Sequence, residues 1–295
     1  MSVQHCGYVA IIGRPNVGKS TLLNRILGQK IAITSRKAQT TRHRILGIKT
    51  HDHVQAIYVD TPGIHQAGKK VMNRLLNKAA LDSLHDVDLV VFVVDGTRWL
   101  DEDQYILDKL GKFKQPILLA VNKIDQIDDR EVLLPHLEFL SSQCNFAAIV
   151  PISAQKGENL AALEREVEAR LPASPAYFPE DQITDRSQRF LTAELIREKL
   201  TRNLGQELPY SLTVEIEKYD DQGELVSIYA LIWLERESQK AIVIGKNGQL
   251  LKKVGTQVRL ELERNLERKV YLQLWVRVKD SWADDERALR DFGYE

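Results

Sequence analysis

The chain has 295 residues, enough for two domains that each bury a core of their own, and its 43% hydrophobic and 28% charged content describes an ordinary globular protein. The longest apolar run, Ile228–Leu234, is far short of the ~20 residues that cross a bilayer, the start lacks a charged-then-apolar signal, and Cys6 and Cys144 show no disulfide or zinc spacing, which points to a reduced cytosolic compartment. Net charge is zero, so any nucleic-acid surface must be local.

From Tyr8 to about Leu171, short apolar runs alternate with helical patterns. The buried strands expected are Tyr8–Ile12, Ala56–Val59, Leu89–Val94, Ile117–Val121 and Ala147–Ile152, which predicts an α/β domain with a mostly parallel sheet and helices on both faces. Ligands of such sheets bind at the C-terminal ends of the strands.

The first strand runs into GRPNVGKST: Gly13, Arg14, Pro15, Asn16, Val17, Gly18, Lys19, Ser20 and Thr21. This is the P-loop spacing, in which glycines let backbone N–H groups approach phosphates, Lys19 reaches the β- and γ-phosphates and Ser20 ligates Mg²⁺. A glycine turn with a surface lysine is the bland alternative; a strand before and a helix after weigh against it. Downstream, KAQTTRHR (Lys37–Arg44) offers Thr40 and Thr41 for the metal shell, with Thr41 the expected ligand. The next strand ends in Asp60, Thr61, Pro62, Gly63 and Ile64. Asp60 suits a carboxylate holding Mg²⁺ through water, and the Gly63 N–H suits the γ-phosphate. Ile64, the residue after Gly63, is aliphatic and cannot orient or polarise water, so hydrolysis of a bound nucleotide should be slow.

Guanine is read by its N1–H and N2–H₂ edge, which a carboxylate can accept. VNKID supplies Asp125 for that edge, Asn122 for N7 and Lys123 to lie along the base; ISA supplies Ser153 and Ala154, whose backbone N–H can meet O6. Residues 1–172 are thus expected to form the nucleotide-binding domain, and the proline-rich 173–185 a linker.

Residues 186–295 read as a smaller α+β domain. Its loop IVIGKNGQLLKKVG resembles the first in rhythm only: two residues separate Gly245 from Gly248, and Gln249 replaces the lysine and serine of a P-loop. A G-x-x-G turn between helices in α-β-β-α-α-β order is the pattern of a KH module, which clamps about four nucleotides of single-stranded RNA. Ile242, Val243 and Ile244 are expected to pack the core and floor the groove, with Gly245, Lys246, Asn247, Gly248, Lys252 and Lys253 at the RNA. Between Lys240 and Lys279 ten basic residues face three acidic ones, giving the local basic surface. Trp233 and Trp275 alternate with apolar residues and read as core.

Together these motifs, with Gln39–His43, FPEDQITDRSQRF and the closing LWVRVKDSWADDERALRDFGY, resemble the Era family of P-loop GTPases along nearly the whole chain. The resemblance implies GTP hydrolysis carried by Lys19, Thr41, Gly63 and Asn16, with Mg²⁺ on Ser20, Thr41 and Asp60. Asn16 is the position at which related GTPases hold K⁺; stabilising the loop turn is its other reading. It also implies binding near the 3′ end of small-subunit ribosomal RNA during assembly of that subunit, and a bacterial cytoplasmic protein peripherally associated with the inner membrane. A metabolic P-loop kinase and a GTPase with a protein-binding adaptor domain are the alternatives.

Overall fold

The computed structural model describes residues 5–35, 37, 40–64, 71–128, 131, 133–205 and 212–294. Gln39 of the family pattern lies outside them. The chain divides into two compact units whose main-chain boundary falls between Asp185 and Arg186.

In the first unit β1 (His5–Ile12), β2 (Ile45–His51), β3 (Val54–Asp60), β4 (Leu89–Asp95), β5 (Ile117–Asn122) and β6 (Ala148–Pro151) form one sheet in the order β2-β3-β1-β4-β5-β6. All neighbours are parallel except β2 and β3, an antiparallel pair that closes one edge. Alternate residues of β1 face opposite layers. Ala10 and Ile12 join Phe92, Leu119 and Val121 under α2 (Val71–Asp82), α3 (Asp101–Leu110) and α4 (Leu133–Gln143). α1 (Lys19–Leu27) and α5 (Leu160–Glu168) pack against strands of the same sheet. Because β1 is flanked by β3 and β4, its C-terminal end is a topological switch point, where a doubly wound sheet opens a ligand crevice.

The proline-rich stretch expected to be a linker is instead stitched to this unit. The Ile48 N–H donates to Ile183 O at 2.7 Å, and the Leu46 N–H donates to the Asp185 carboxylate. The fully buried Gln55 accepts the N–H groups of Tyr177 and Phe178 and donates to Phe178 O. Proline interrupts a regular ladder, so the pattern is invisible in sequence, yet the segment still covers the exposed edge of β2.

The second unit runs α6 (Gln188–Asn203), β7 (Leu212–Asp221), β8 (Leu225–Leu234), α7 (Glu237–Ile244), α8 (Gln249–Leu266), β9 (Lys269–Val278) and α9 (Glu286–Asp291). β8 is central, antiparallel to β7 and parallel to β9. Val226, Ile228, Ala230, Ile232 and Leu234 of β8 meet Ile196 and Leu200 of α6, Val243 of α7, and Val254, Val258 and Leu262 of α8 in one core. The helical residues recur at i and i+4, the spacing of one apolar stripe.

Two expectations fail here. Trp275 is not core: it lies 37% exposed, stacked on Tyr229 at 5.9 Å between ring centres. Trp233 is half-buried, its indole N–H donating to Glu215. The alternation in these strands is real, but it places both tryptophans on the face opposite Ile228, Ile232 and the other core residues. Trp282, near the C-terminus, is the fully buried tryptophan, edge-on to Phe292 and stacked with Tyr294.

Candidate functional site

The loop from Gly13 to Gly18 follows β1 and closes onto the first turn of α1. Gly18 is left-handed (φ 105°), and a Cβ there would fall 2.3 Å from Asn122 Nδ2, so the backbone approach admits no side chain. Lys19 folds back over the loop, its Nζ donating to Gly13 O at 2.9 Å and Arg14 O at 3.0 Å. Burial lowers this amine to about 8 against the opposing Asp60 carboxylate, with Arg14 adding a smaller downward push. At the helix start Ser20 Oγ lies 2.7 Å from Thr41 Oγ1 and donates to Asp60 Oδ2 at 2.7 Å, and Thr41 Oγ1 donates to the same oxygen at 3.4 Å. Burial pushes the Asp60 carboxyl up to about 6, although Lys19 and its hydrogen-bond donors pull it down.

Among the described residues, Asp60 Oδ1 is buried with no hydrogen-bond partner. An orphaned carboxylate oxygen beside two hydroxyls is a hard-oxygen set that fits Mg²⁺. Thr40 does not share this cluster: its hydroxyl donates to Lys37 O at 2.6 Å and contacts Ser35.

At the other end, Lys123 is left-handed (φ 69°), a bend that carries the chain from β5 into the turn bearing Asp125. Ser153 Oγ accepts the Lys156 N–H at 3.0 Å and donates to Asp125 Oδ1 at 2.5 Å, which fixes the carboxylate's orientation. Asn122 knits the site: its Nδ2 donates to Val17 O at 2.7 Å and its Oδ1 accepts the Ala154 N–H at 2.9 Å. The motif aims this amide at guanine N7; the structure employs one donor and the acceptor inside the protein.

Several other side chains named from sequence also work inward. Thr61 Oγ1 donates to Ile11 O at 2.9 Å, tying β3 to β1. Val17 is fully buried, and Ile64 belongs to the hydrophobic core, turned away from solvent. Asn16 is exposed in the loop with φ 64°, and Gly63 passes so close to Pro15 that a Cβ would lie 2.8 Å from its ring. The Arg14 guanidinium is held by Asp103 and faces Asp95. Neither aspartate was found by motif: they lie 81 and 89 residues beyond Arg14, and only the fold joins them.

In the second unit α7 and α8 are joined by Gly245–Gly248. Gly245 has φ 75° and ψ 171°, a region reserved for glycine, and a Cβ there would sit 2.7 Å from Leu250 Cβ. Lys246, Asn247, Lys252 and Lys253 are exposed, while Val243 is fully buried and Ile244 half-buried. Ile242 departs from its expected core position: it is 51% exposed, because α7 turns only one residue of this apolar triplet fully inward.

A glycine-rich phosphate loop at the switch point, a hydroxyl–carboxylate metal set, a carboxylate-bearing base loop and an appended helix–G-x-x-G–helix unit define a P-loop GTPase with a KH domain. Residues 8–123 match the family described as 50S ribosome-binding GTPase, and residues 207–283 match the KH domain. The chain is 60% identical over 289 residues to GTPase Era of Pseudomonas savastanoi pv. phaseolicola, spanning 98% of this chain and 96% of that protein. It is 59% identical to GTPase Era of Ectopseudomonas mendocina over 99% of this chain and 98% of the relative. The chain belongs to the Era family of GTPases.

Among solved structures it is similar to Era in complex with MgGDPNP and nucleotides 1506–1542 of 16S ribosomal RNA, with a TM-score of 0.95, 41% identity and 99% of each chain covered. Era of Aquifex aeolicus bound to GDP.AlF4− superposes with a TM-score of 0.94 at 40% identity, over 98% of this chain and 99% of the other.

Proposed function

We propose that this GTPase is a switch whose nucleotide cycle serves binding near the 3′ end of small-subunit ribosomal RNA during assembly of the small subunit. The observation that carries the RNA half is the glycine turn Gly245–Gly248 between two helices, with Lys246, Lys252 and Lys253 exposed beside it. The choice of RNA rests on the relative whose structure contains nucleotides 1506–1542 of 16S ribosomal RNA. Crosslinking in bacterial cells followed by sequencing of the attached RNA tests it. Reads concentrated near the 3′ end of small-subunit ribosomal RNA are expected; an absence of crosslinked RNA would favour a protein-binding adaptor. The chemistry also fits the cytoplasm, with Cys6 and Cys144 both unpaired thiols.

In this reading Ser20 and Thr41 hold Mg²⁺ directly and Asp60 holds it through water; the metal neutralises charge on the β- and γ-phosphates. Lys19 spends two of its three N–H donors on the loop carbonyls and turns the third to those oxygens, and the Gly63 N–H donates to the γ-phosphate. The backbone N–H groups of the Gly13–Thr21 loop cradle the remainder, so Val17 contributes its main chain rather than its buried side chain. Asp125 accepts the guanine N1–H and N2–H₂ and Lys123 lies along the base, while the Ala154 N–H meets guanine O6 only by giving up Asn122 Oδ1, its present acceptor.

The core placement of Ile64 removes that side chain from any role in orienting water, and the family resemblance makes Asn16 the candidate for K⁺-assisted catalysis. Hydrolysis should be faster in K⁺ than in Na⁺, by about tenfold if one added cation stabilises the transition state by ~1.4 kcal/mol. Asn16→Gly should abolish the difference while keeping the left-handed loop (φ 64°) without steric cost. Equal rates in the two salts for the unaltered chain would reduce Asn16 to a turn residue.

A further inference from the structure

Behind the nucleotide site runs a chain of alternating charges, three buried and the last half-buried. Asp103 in the first turn of α3 is fully buried, and its Oδ2 accepts Arg14 Nε at 3.0 Å and the Leu100 N–H at 3.0 Å. Arg14, 8% exposed, stands at the start of the phosphate loop, with its second nitrogen 3.8 Å from Asp95 Oδ2. That same oxygen accepts Lys123 Nζ at 2.8 Å, while Asp95 Oδ1 receives the hydroxyl and N–H of Thr97. Burial opposes a charge on Asp95, but the Lys123 and Thr97 hydrogen bonds outweigh it and hold the carboxyl below its usual range.

The order Asp103, Arg14, Asp95, Lys123 alternates in sign and runs from the phosphate loop to the base-reading segment. Each partner is 25% exposed or less, so solvent screens these attractions weakly. α3 is itself fixed, because Ile106, Leu107 and Leu110 lie in the core. Arg14 is therefore tethered to a rigid element by the group it can least easily lose: an arginine stays charged at any physiological pH, and a buried arginine without its carboxylate is strongly disfavoured.

We propose that Asp103 is a positioning residue for nucleotide binding, which through Arg14 and Asp95 sets the phosphate loop and the base-reading lysine as one unit. The proposal rests on the reading of Gly13–Thr21 and Asn122–Asp125 as the guanine-nucleotide site. Asp103 contacts no ligand; it acts by removing the freedom of Arg14, so that the loop is already shaped when nucleotide arrives. A ligand held at both ends by coupled loops is released slowly, because neither end loosens alone.

The test measures binding and release of a fluorescent GDP analogue by the full chain and by Asp103→Asn, Asp95→Asn and the double variant. Asparagine keeps size and one acceptor oxygen but removes the charge. Each single change should weaken GDP binding by about tenfold, mainly through faster release, and the double by well under the ~100-fold that independent sites would give. Under steady-state hydrolysis Asp103→Asn should raise KM with kcat within about twofold, since no reacting atom is touched.

A merely structural role would instead lower the melting temperature of the nucleotide-free protein and leave the affinity of its folded fraction unchanged. GDP affinity of folded Asp103→Asn within twofold of the unaltered chain, or strictly additive losses, would overturn the proposal. If Asp103→Asn folds poorly, Asp95→Asn tests the same coupling from its other end: unchanged release of GDP overturns it, faster release supports it. An unaltered chain that binds no guanine nucleotide would instead sink the reading of the site itself.

Discussion

Asp125→Asn is expected to convert the protein from a GTP-binding to a xanthosine-triphosphate-binding one. A carboxylate accepts both the N1–H and the N2–H₂ of guanine; an asparagine offers one acceptor and turns its second position into a donor. Two hydrogen bonds to a charged acceptor are worth about 1.5–3 kcal/mol each, so GTP affinity should fall by roughly two to four powers of ten. Xanthine carries a carbonyl where guanine has its amino group, and the new N–H₂ can donate to it. The structure dictates which way the new amide points. The Ser153 hydroxyl receives the Lys156 N–H and donates to Asp125 Oδ1, so the asparagine carbonyl takes that place and its N–H₂ the other. Removing the serine in the background of Asp125→Asn should therefore erode the preference for xanthosine triphosphate by letting the amide flip. Competition between the two nucleotides, measured by displacement of a fluorescent analogue, reads both effects. Retained GTP preference in folded Asp125→Asn would show that Asp125 does not read the base, and an ATP preference in the unaltered chain would revive the kinase alternative.

The parts of this site legible in the sequence are those whose chemistry is local. Gly18, Lys19 and Ser20 are adjacent because a loop that wraps phosphate and starts a helix needs them adjacent, while Asp60 ends β3 and Asp125 lies in the turn just after β5, at the edge where a parallel sheet presents ligands. Residues that act through partners far along the chain left no such mark. Asp103 reads as an ordinary acidic residue in the first turn of a helix, favoured there by the helix dipole, and only folding brings Arg14 against it. The same holds for Gln55, whose amide anchors a proline-rich segment more than 120 residues away. Periodicity located the strands of the second unit, and in β9 it also marks the side: the inward set Val270, Leu272, Leu274, Val276 and Val278 is wholly aliphatic, while Tyr271 and Trp275 alternate with Lys269, Gln273 and Arg277 on the outward one. Residue type alone puts a tryptophan in the core; its register with charged neighbours puts it outside. For α7 the β-branched run IVI favours strand on propensity alone, and the tertiary setting makes it helix.

The two glycines of the G-x-x-G turn should respond differently to the same substitution, and this separates loss of binding from loss of fold. Gly248 is left-handed (φ 74°, ψ 8°), and a Cβ there meets nothing within 4 Å. Aspartate tolerates that conformation better than most residues, so Gly248→Asp should cost the unit no more than about 1 kcal/mol. Its carboxylate would nevertheless stand in the clamp. At an effective dielectric of about 20, a negative charge ~4–5 Å from a phosphate costs ~3–4 kcal/mol, so RNA affinity should fall by at least 100-fold. Gly245 is another case. Its φ and ψ lie where only glycine is at ease, and a Cβ would press on Leu250. Gly245→Asp should destabilise the second unit by about 3 kcal/mol in addition to repelling RNA. Thermal melting alongside filter binding of a single-stranded RNA fragment resolves the pair: Gly248→Asp folded and unable to bind, Gly245→Asp impaired in both. GTP binding should persist in each, because the phosphate loop and the base-reading segment lie in the other unit. If Gly248→Asp binds RNA within threefold of the unaltered chain, the turn is structural rather than a clamp, and the basic surface of α8 must find another partner.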